Sequence, residues 1–150
     1  MYKKILVPVD GSTASQRGLA EAISLAKTLN ASLRLIHVVN ELVLSVAYQP
    51  VPYEPSLVEW LRQTGAKTLK EAESAAHAQG IKPEVELIEV IGGRAADQIL
   101  EQARISGVDL IAMGTHGRRG VRRLVMGSDA ELVLRGSPVP VLLVRASDES

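Results

Sequence analysis

A glycine pattern in the last third of the chain has the residue types and the spacing to bind a phosphate group. Gly114 and Gly117 follow an apolar run, Val108–Met113, and nine residues separate Gly117 from a Gly127-Ser128 step that opens a helix-like segment. Glycines at the end of a buried strand let backbone N–H groups approach a bulky anion. The start of a helix directs free N–H groups and the positive end of the helix dipole toward the same place. The pattern therefore predicts a phosphate-binding loop.

Basic side chains lie between these glycines. The arginines of the loop are Arg118, Arg119, Arg122 and Arg123, with no acidic residue among them. Such a cluster is more often a solvated surface than a binding site. We include Arg118, together with His116, among the candidate ligand contacts, and the alternative for both is an exposed loop position.

Two other phosphate-binding signatures are absent from the chain. There is no Gly-x4-Gly-Lys-Ser/Thr, and therefore no lysine placed on a terminal phosphate. There is also no Gly-x-Gly-x-x-Gly at the opening of a first helix, which excludes the dinucleotide fingerprint. Phosphoryl transfer needs a metal, a positioned water and charge stabilisation, and nothing in the sequence assembles them. We expect at most slow ATP hydrolysis and assign no catalytic residue.

Composition restricts the class of protein. The 150 residues, 46% hydrophobic and 23% charged, are typical of one globular domain spanning 1–150. The absence of cysteine excludes disulfides, thiolate metal sites and a cysteine nucleophile. No two histidines have the spacing of metal ligands, so we expect no bound transition metal.

Charge and hydropathy argue against two classes of partner. The net charge is zero and the aromatic residues are one Trp and three Tyr, which argues against a nucleic-acid partner. No apolar run approaches the ~18 residues of a membrane helix, and no signal segment opens the chain. We expect a cytoplasmic protein with no membrane partner.

Strand-like and helix-like periods alternate along the whole chain. Strands are expected at Ile5–Val9, Leu33–Val39, Pro83–Ile91, Val108–Met113 and Val139–Val144. Helices are expected from Ser12 or Thr13 to Leu29, from about Ser56 to Gly80 with a possible break at Gly65, and at Arg94–Ser106 and Ser128–Arg135. This rhythm predicts an α/β fold, a five-stranded, mostly parallel, doubly wound sheet with helices on both faces.

Sheets of this kind bind ligands at the carboxyl ends of their strands, where the strand order reverses. Asp10 follows strand one, Val38 lies near the end of strand two, and the glycine loop follows strand four. If strands one and four are neighbours, these segments form one crevice of nucleotide size. Asp10 could instead only cap a turn with Gly11, and we favour the ligand role.

The glycine pattern resembles the ATP-binding motif of the universal stress protein family, in the subgroup that binds adenine nucleotides. The likeness covers nearly the whole chain, from Ile5-Leu6-Val7-Pro8-Val9-Asp10-Gly11-Ser12 to Ser137-Pro138-Val139-Pro140-Val141-Leu142-Leu143-Val144. It implies a Rossmann-like fold of the adenine nucleotide alpha hydrolase type. It also implies an ATP-binding regulatory or stress-response module with unidentified protein partners.

The resemblance assigns roles to individual residues. Pro8, Asp10 and Val38 would frame the adenine and ribose, with Val9 and Met113 beside them. The residues that would wrap the ribose and phosphates are Gly114, Gly117, Gly127 and Ser128. Val38 offers an apolar surface to a base, Asp10 an acceptor, and the Ser128 hydroxyl a donor to phosphate.

Asp129 departs from the family pattern, which more often has an apolar or small residue there. A carboxylate in the first turn favours the helix, but it repels a triphosphate unless a cation bridges them. The sequence leaves two interpretations open: Asp129 weakens ATP binding, or it helps to hold Mg²⁺.

The family also suggests a homodimer built through the last strand, Val139–Val144, which is apolar on both faces. An unpaired edge of that kind promotes association, and Pro140 removes one N–H from it.

Two alternatives to the regulatory function stay open. One is a slow ATPase or autophosphorylating protein, and the other is an interaction dimer with a vestigial site.

Overall fold

The computed structural model describes residues 1–41, 55–115 and 126–146 of the chain. The strands are β1 (Lys4–Pro8), β2 (Ser32–Asn40), β3 (Glu84–Val90), β4 (Leu110–Gly114) and β5 (Val141–Val144). The helices are α1 (Thr13–Leu29), α2 (Pro55–Ala78), α3 (Ala95–Ile105) and α4 (Ser128–Gly136). The strands form one sheet in the order β3-β2-β1-β4-β5, and every pair of neighbours is parallel.

The central strand β1 has neighbours from both halves of the chain. Ile5 pairs with Leu33 of β2 on one side and with Leu110 of β4 on the other. The chain winds outward from β1 through β2 to β3, and then outward in the opposite direction from β4 to β5. The reversal lies between β1 and β4, as a ligand-binding crevice of this fold class requires. The predicted fold class is confirmed.

Helices cover both faces of the sheet. Ile5 shares one core with Leu19 of α1 and Leu69 of α2, whereas Leu6 shares the other with Ile99 of α3. Successive strand side chains point to opposite faces, so a short apolar strand supplies both cores. Fully burying a side chain of this size contributes about 1.5–3 kcal/mol.

Several predicted element limits change by a few residues. Val9 lies just after β1, and β5 begins at Val141 rather than Val139. The helix α2 runs unbroken through Gly65, so the break considered there is wrong. Trp60 of α2 is 56% exposed and therefore lies outside the core.

Gly65 is required by the close approach of α2 to β2. A Cβ atom at this position would lie 2.6 Å from Cδ2 of His37 and 3.0 Å from Cδ1 of Leu87. The His37 ring is held in place because its Nδ1 donates to the Val9 carbonyl oxygen at 2.7 Å. The helix therefore tolerates the roughly 1 kcal/mol cost of an internal glycine, and His37 has a structural role in this contact.

A polar network lies at the amino ends of the strands. The Arg34 guanidinium donates to Oε1 of Gln102 at 2.7 Å and to Oε2 of Glu84 at 3.2 Å. Gln102 is 8% exposed, and its Oε1 also accepts from the Ser106 hydroxyl at 2.9 Å. A hydrogen bond from Lys4, with a smaller effect from Arg34, lowers the pKa of Glu84. The network ties β1, β2, β3 and α3 together at the edge opposite the predicted site.

Asp109 joins β1 to β4 at the same edge. Its carboxylate accepts from the backbone N–H of Lys3 at 2.8 Å and from that of Lys4 at 3.1 Å. Burial raises the pKa of Asp109, but these backbone donors together outweigh it and leave the pKa below its ordinary value. The two strands that flank the predicted crevice are thus clamped at their far ends.

Candidate functional site

The turn between β1 and α1 holds Asp10 in a defined position. Its Oδ1 accepts from the Ser12 N–H at 2.8 Å across Gly11, whose φ of 84° lies in the left-handed region. Ser12 is the N-cap of α1, and its hydroxyl accepts from the Ser15 N–H at 3.1 Å. The buried Ser15 hydroxyl in turn accepts from the Asp10 N–H at 3.0 Å. The turn role considered for Asp10 is therefore present.

The ends of β1 and β2 bring Asp10 and Val38 to the same level. Pro8 pairs with Ile36, and the Val9 N–H continues the ladder by donating to the Ile36 carbonyl at 2.8 Å. Two residues further along each strand are Asp10 and Val38. Val38 is half-buried, and strand alternation places it on the sheet face of Ile36, which is the face that α3 and α4 cover.

Gly114 ends β4 against the first turn of α1. A Cβ atom there would lie 2.5 Å from the carbonyl carbon of Ala14, and one on Gly18 would lie 3.0 Å from the Gly114 nitrogen. These small residues let α1 rest directly on the backbone of β4. Met113, 7% exposed, points to the opposite face. Gly114 thus has a packing role in addition to the ligand role predicted for it.

The start of α4 is bonded to the end of β4. Gly127, the N-cap of α4, donates its N–H to the Thr115 carbonyl at 2.6 Å and accepts from the Glu131 N–H at 3.0 Å. The N–H of Thr115 donates to Val144 of β5 at 3.0 Å. Ser128 and Asp129 are exposed in the first turn. The Gly127 N–H is thus used inside the protein, and the next N–H groups of the helix have no intrahelical partner.

The structure brings most of the predicted residues to one edge of the sheet. Five lie at the ends of β1, β2 and β4: Pro8, Val9, Asp10, Val38 and Met113, with Gly114 beside them. Gly127, Ser128 and Asp129 join this edge through the Thr115 hydrogen bond. The remaining predicted contacts, and the other loop arginines, lie outside the described residues: His116, Gly117, Arg118, Arg119, Arg122 and Arg123.

Two features of this edge were missed in the sequence. Thr115 lies inside the glycine motif but received no role, and its backbone joins β4, β5 and α4. Ala14 and Gly18 were not connected with Gly114. Their spacing of four residues places both small side chains on one face of α1, which is a signal for close packing that the sequence does contain.

A separate cavity of about 690 Å³ lies between α1 and α2. Leu19, Ile23, Thr68 and Ala72 are among its lining residues. These helices cover the sheet face opposite Val38, and Val9, one of the predicted ligand contacts, lines the cavity from that face together with Gly11.

Metal-binding clusters and membrane-spanning helices are both absent from the described parts of the chain. No three His, Asp or Glu side chains there are grouped so that they could hold a metal ion. None of the helices there is long and apolar enough to cross a membrane.

The architecture and motif agree with comparisons against known proteins. The family model described as the universal stress protein family matches residues 1–145. The chain belongs to this family. It is 36% identical to the universal stress protein MJ0531 of Methanocaldococcus jannaschii, over 97% of this chain and 83% of that protein.

Solved structures extend the likeness to three dimensions. The structure of the hypothetical protein MJ0577, from the same archaeon, superposes on this universal stress protein with a TM-score of 0.82, at 27% identity and over 99% of each chain. A universal stress protein in complex with cAMP superposes with a TM-score of 0.66, also at 27% identity, over 97% of this chain and 98% of that one.

Proposed function

We propose that this universal stress protein binds an adenine nucleotide, with ATP as the principal ligand, at the carboxyl edge of β1, β2 and β4. The observation that carries the proposal is the reversal of strand order between β1 and β4. Asp10, Val38 and the start of α4 therefore lie at the carboxyl edge of the sheet, where open α/β sheets bind ligands. The related protein in complex with cAMP supports an adenine nucleotide as the ligand class.

The residues of the crevice fit the two ends of a nucleotide. Pro8 and Val38 provide apolar surface for the base above the buried Met113, and Asp10 provides an acceptor. The Val9 side chain is buried in the core under α1 and α2, on the other face, so Val9 enters the proposal through its backbone. The first turn of α4 provides N–H groups and the exposed Ser128 hydroxyl for phosphate. The residues that complete the phosphate end in the proposal are Gly114, His116, Gly117, Arg118 and Gly127.

Asp129 makes magnesium part of the proposal. Its carboxylate is exposed in the same turn of α4 that would face the phosphates. Like charges in that position repel, whereas a divalent cation between carboxylate and phosphate oxygens removes the repulsion, and Mg²⁺ prefers such ligands. We therefore propose that Asp129 favours the magnesium complex of ATP.

Calorimetric titration of nucleotide-free protein with ATP tests both points. We expect micromolar binding that is tighter with Mg²⁺ than without it, and we expect Asp129→Asn to remove that difference. We also expect saturating Mg-ATP to slow amide exchange in residues 114–128, because ligand contacts would stabilise this segment. No heat of binding would overturn the nucleotide proposal. Tighter ATP binding by Asp129→Asn with Mg²⁺ present would overturn the role of magnesium.

Nucleotide occupancy would act as a regulatory signal. A ligand that stabilises the surface around the start of α4 shifts the population of conformations presented to a protein partner. Partner binding would then follow the ATP level, which is the mode of action we propose for a stress-response module. Amide exchange that is the same with and without saturating Mg-ATP would remove the basis of this mode.

We also propose that the chain forms a homodimer through β5, because the two edges of the sheet differ in charge. The β3 edge carries charged side chains, since Glu84, Glu86 and Glu89 lie on it and form ion pairs with Lys4, Arg34 and Arg62. Charged side chains at an edge oppose pairing with another strand. The β5 edge, Val141–Val144, has no charged residue, and its Leu142 is 37% exposed.

The orientation of Pro140 supports pairing at β5. Its carbonyl accepts from the Ile111 N–H of β4 at 3.0 Å. In a strand the N–H and C=O of one residue point to the same side, so the donor that Pro140 lacks would have faced β4. The outer edge therefore keeps the N–H and C=O groups of Val141 and Leu143 for a partner strand.

Leu142→Lys is expected to convert the dimer to a monomer, because it places a charge on the apolar strand that would be buried. Sedimentation equilibrium measures the change, and Leu134→Lys on α4, also an exposed leucine, is the control that should stay dimeric. A monomeric wild type at micromolar concentration would contradict the dimer.

A further inference from the structure

The Thr115 hydroxyl is buried and has no hydrogen-bond partner among the described residues. Its Oγ1 is the one buried side-chain oxygen or nitrogen, among the residues that the structure describes, without a hydrogen bond. A buried polar atom in this state lowers stability, and native proteins keep few of them. Such an atom calls for a functional explanation, since valine has nearly the same shape and no hydroxyl to desolvate.

The backbone of Thr115 leaves the hydroxyl little freedom to find a partner elsewhere. Its N–H donates to Val144 at 3.0 Å and its carbonyl accepts from Gly127 at 2.6 Å, so the residue is held between β5 and the N-cap of α4. Both backbone groups are satisfied by this arrangement. Only the side-chain hydroxyl remains unsatisfied.

The position of Thr115 relates the hydroxyl to the proposed nucleotide site. A Cβ on Gly114 would point at α1, whereas Met113 belongs to the core under α3 and α4. Continuing the alternation of β4 places Thr115 on the face of Met113, which is also the face of Val38. The hydrogen bond from Gly127 sets the residue beside the start of α4, where the phosphates would lie.

We propose that the Thr115 hydroxyl is a ligand-binding group that donates a hydrogen bond to a phosphate oxygen of the bound nucleotide. The inference rests on the proposed function, and it adds a residue that the glycine motif does not assign. A hydroxyl donor to a charged phosphate oxygen makes one of the stronger neutral-to-ionic hydrogen bonds. Because Oγ1 is buried in the free protein, a phosphate oxygen reaches it only when the groups that cover it move aside on binding. The hydroxyl, which has no partner among the described residues, then gains one.

This proposal predicts effects of opposite sign on stability and on binding. Thr115→Val removes the hydroxyl while keeping the side-chain shape, so the free protein should be at least as stable as wild type. The same variant should bind ATP about tenfold more weakly, since a hydrogen bond to a charged group is lost. If the hydroxyl had only a structural role, Thr115→Val would instead be less stable than wild type.

The experiment compares wild type, Thr115→Val and Thr115→Ser as full chains. Urea unfolding of nucleotide-free protein measures stability, and calorimetric titration with Mg-ATP measures affinity. Thr115→Ser retains the hydroxyl and should restore most of the affinity that Thr115→Val loses.

The outcomes separate this inference from the proposed function. If wild type and Thr115→Val bind ATP with the same affinity, the role of the hydroxyl is overturned and the proposed function is not. A Thr115→Val variant that is less stable than wild type without nucleotide also overturns it, because the hydroxyl then has a partner in the free protein. Wild type that binds no ATP overturns the proposed function and this inference together.

Discussion

Gly114→Ala is expected to destabilise the protein by about 3 kcal/mol. The added Cβ would lie 2.5 Å from the carbonyl carbon of Ala14 and 2.6 Å from its carbonyl oxygen. Both are backbone atoms in the first turn of α1, so no side-chain rotation can relieve the clash. The helix α1 must therefore move away from β4, and this movement also displaces the hydrogen-bonded turn around Asp10.

The sign of this effect follows from comparing two magnitudes. Replacing a strand glycine by alanine would by itself gain roughly 0.5–1 kcal/mol, because the unfolded chain loses freedom. Overpacking against a rigid neighbour costs typically 1–3 kcal/mol and occasionally more. At 2.5 Å the overpacking is severe, so the loss outweighs the gain.

Urea unfolding of wild type and Gly114→Ala measures the change, and Gly136→Ala is the matched control. The three atoms nearest to a Cβ on Gly136 all belong to the Leu100 side chain, and the closest of them, Cδ1, would lie at 2.9 Å. The end of a leucine side chain can rotate away, so we expect the control to stay within about 1 kcal/mol of wild type. Equal stability of the two alanine variants would show that α1 does not rest on Gly114 as described.

Gly127→Val is expected to weaken ATP binding by roughly a hundredfold or more, equivalent to about 2.8 kcal/mol. Gly127 has φ −59° and ψ 151°, which a valine can adopt without strain. The backbone conformation therefore does not require glycine. A requirement for glycine would come from the ligand, since the isopropyl group would occupy the space through which phosphates approach the start of α4.

The cost of Gly127→Val to stability should be small and separable. Valine is a poorer N-cap than glycine, which predicts a loss of about 1 kcal/mol or less. Calorimetric titration with Mg-ATP at a temperature where the variant is fully folded isolates the effect on binding. Gly136→Ala, at the other end of the same helix, should bind ATP as wild type does. Wild-type affinity in Gly127→Val would place the phosphates elsewhere.

The fold class could be predicted because its signals are local. The alternation of strand and helix periods, the serine that caps α1 and the glycines between elements are all properties of short segments. The element limits were less accurate, and Val9 and Val139 were assigned to strands that they only border. The residue at which a strand ends depends on whether the neighbouring strand continues to pair with it. The sequence of one segment contains no information about that pairing.

The candidate site was predictable in its position but not in its contacts. The glycine spacing and the order of elements placed Asp10, Val38 and Gly127 at one edge. The use of the Gly127 N–H by Thr115, and of Asp10 Oδ1 by Ser12, became visible only once the turns were built. A donor or acceptor is available to a ligand only if no nearer group takes it, and that depends on three-dimensional geometry.

Sequence alone determined that this chain is a doubly wound α/β protein with a universal stress protein motif, because residue type and spacing carry that information. The tertiary structure decided that β1 lies between β2 and β4, that Gly114 is a packing residue for α1, and that the Thr115 hydroxyl has no partner among the described residues. These facts concern atoms that are distant along the chain. They depend on which surfaces come into contact when the helices pack on the sheet, and a local sequence pattern does not specify those contacts.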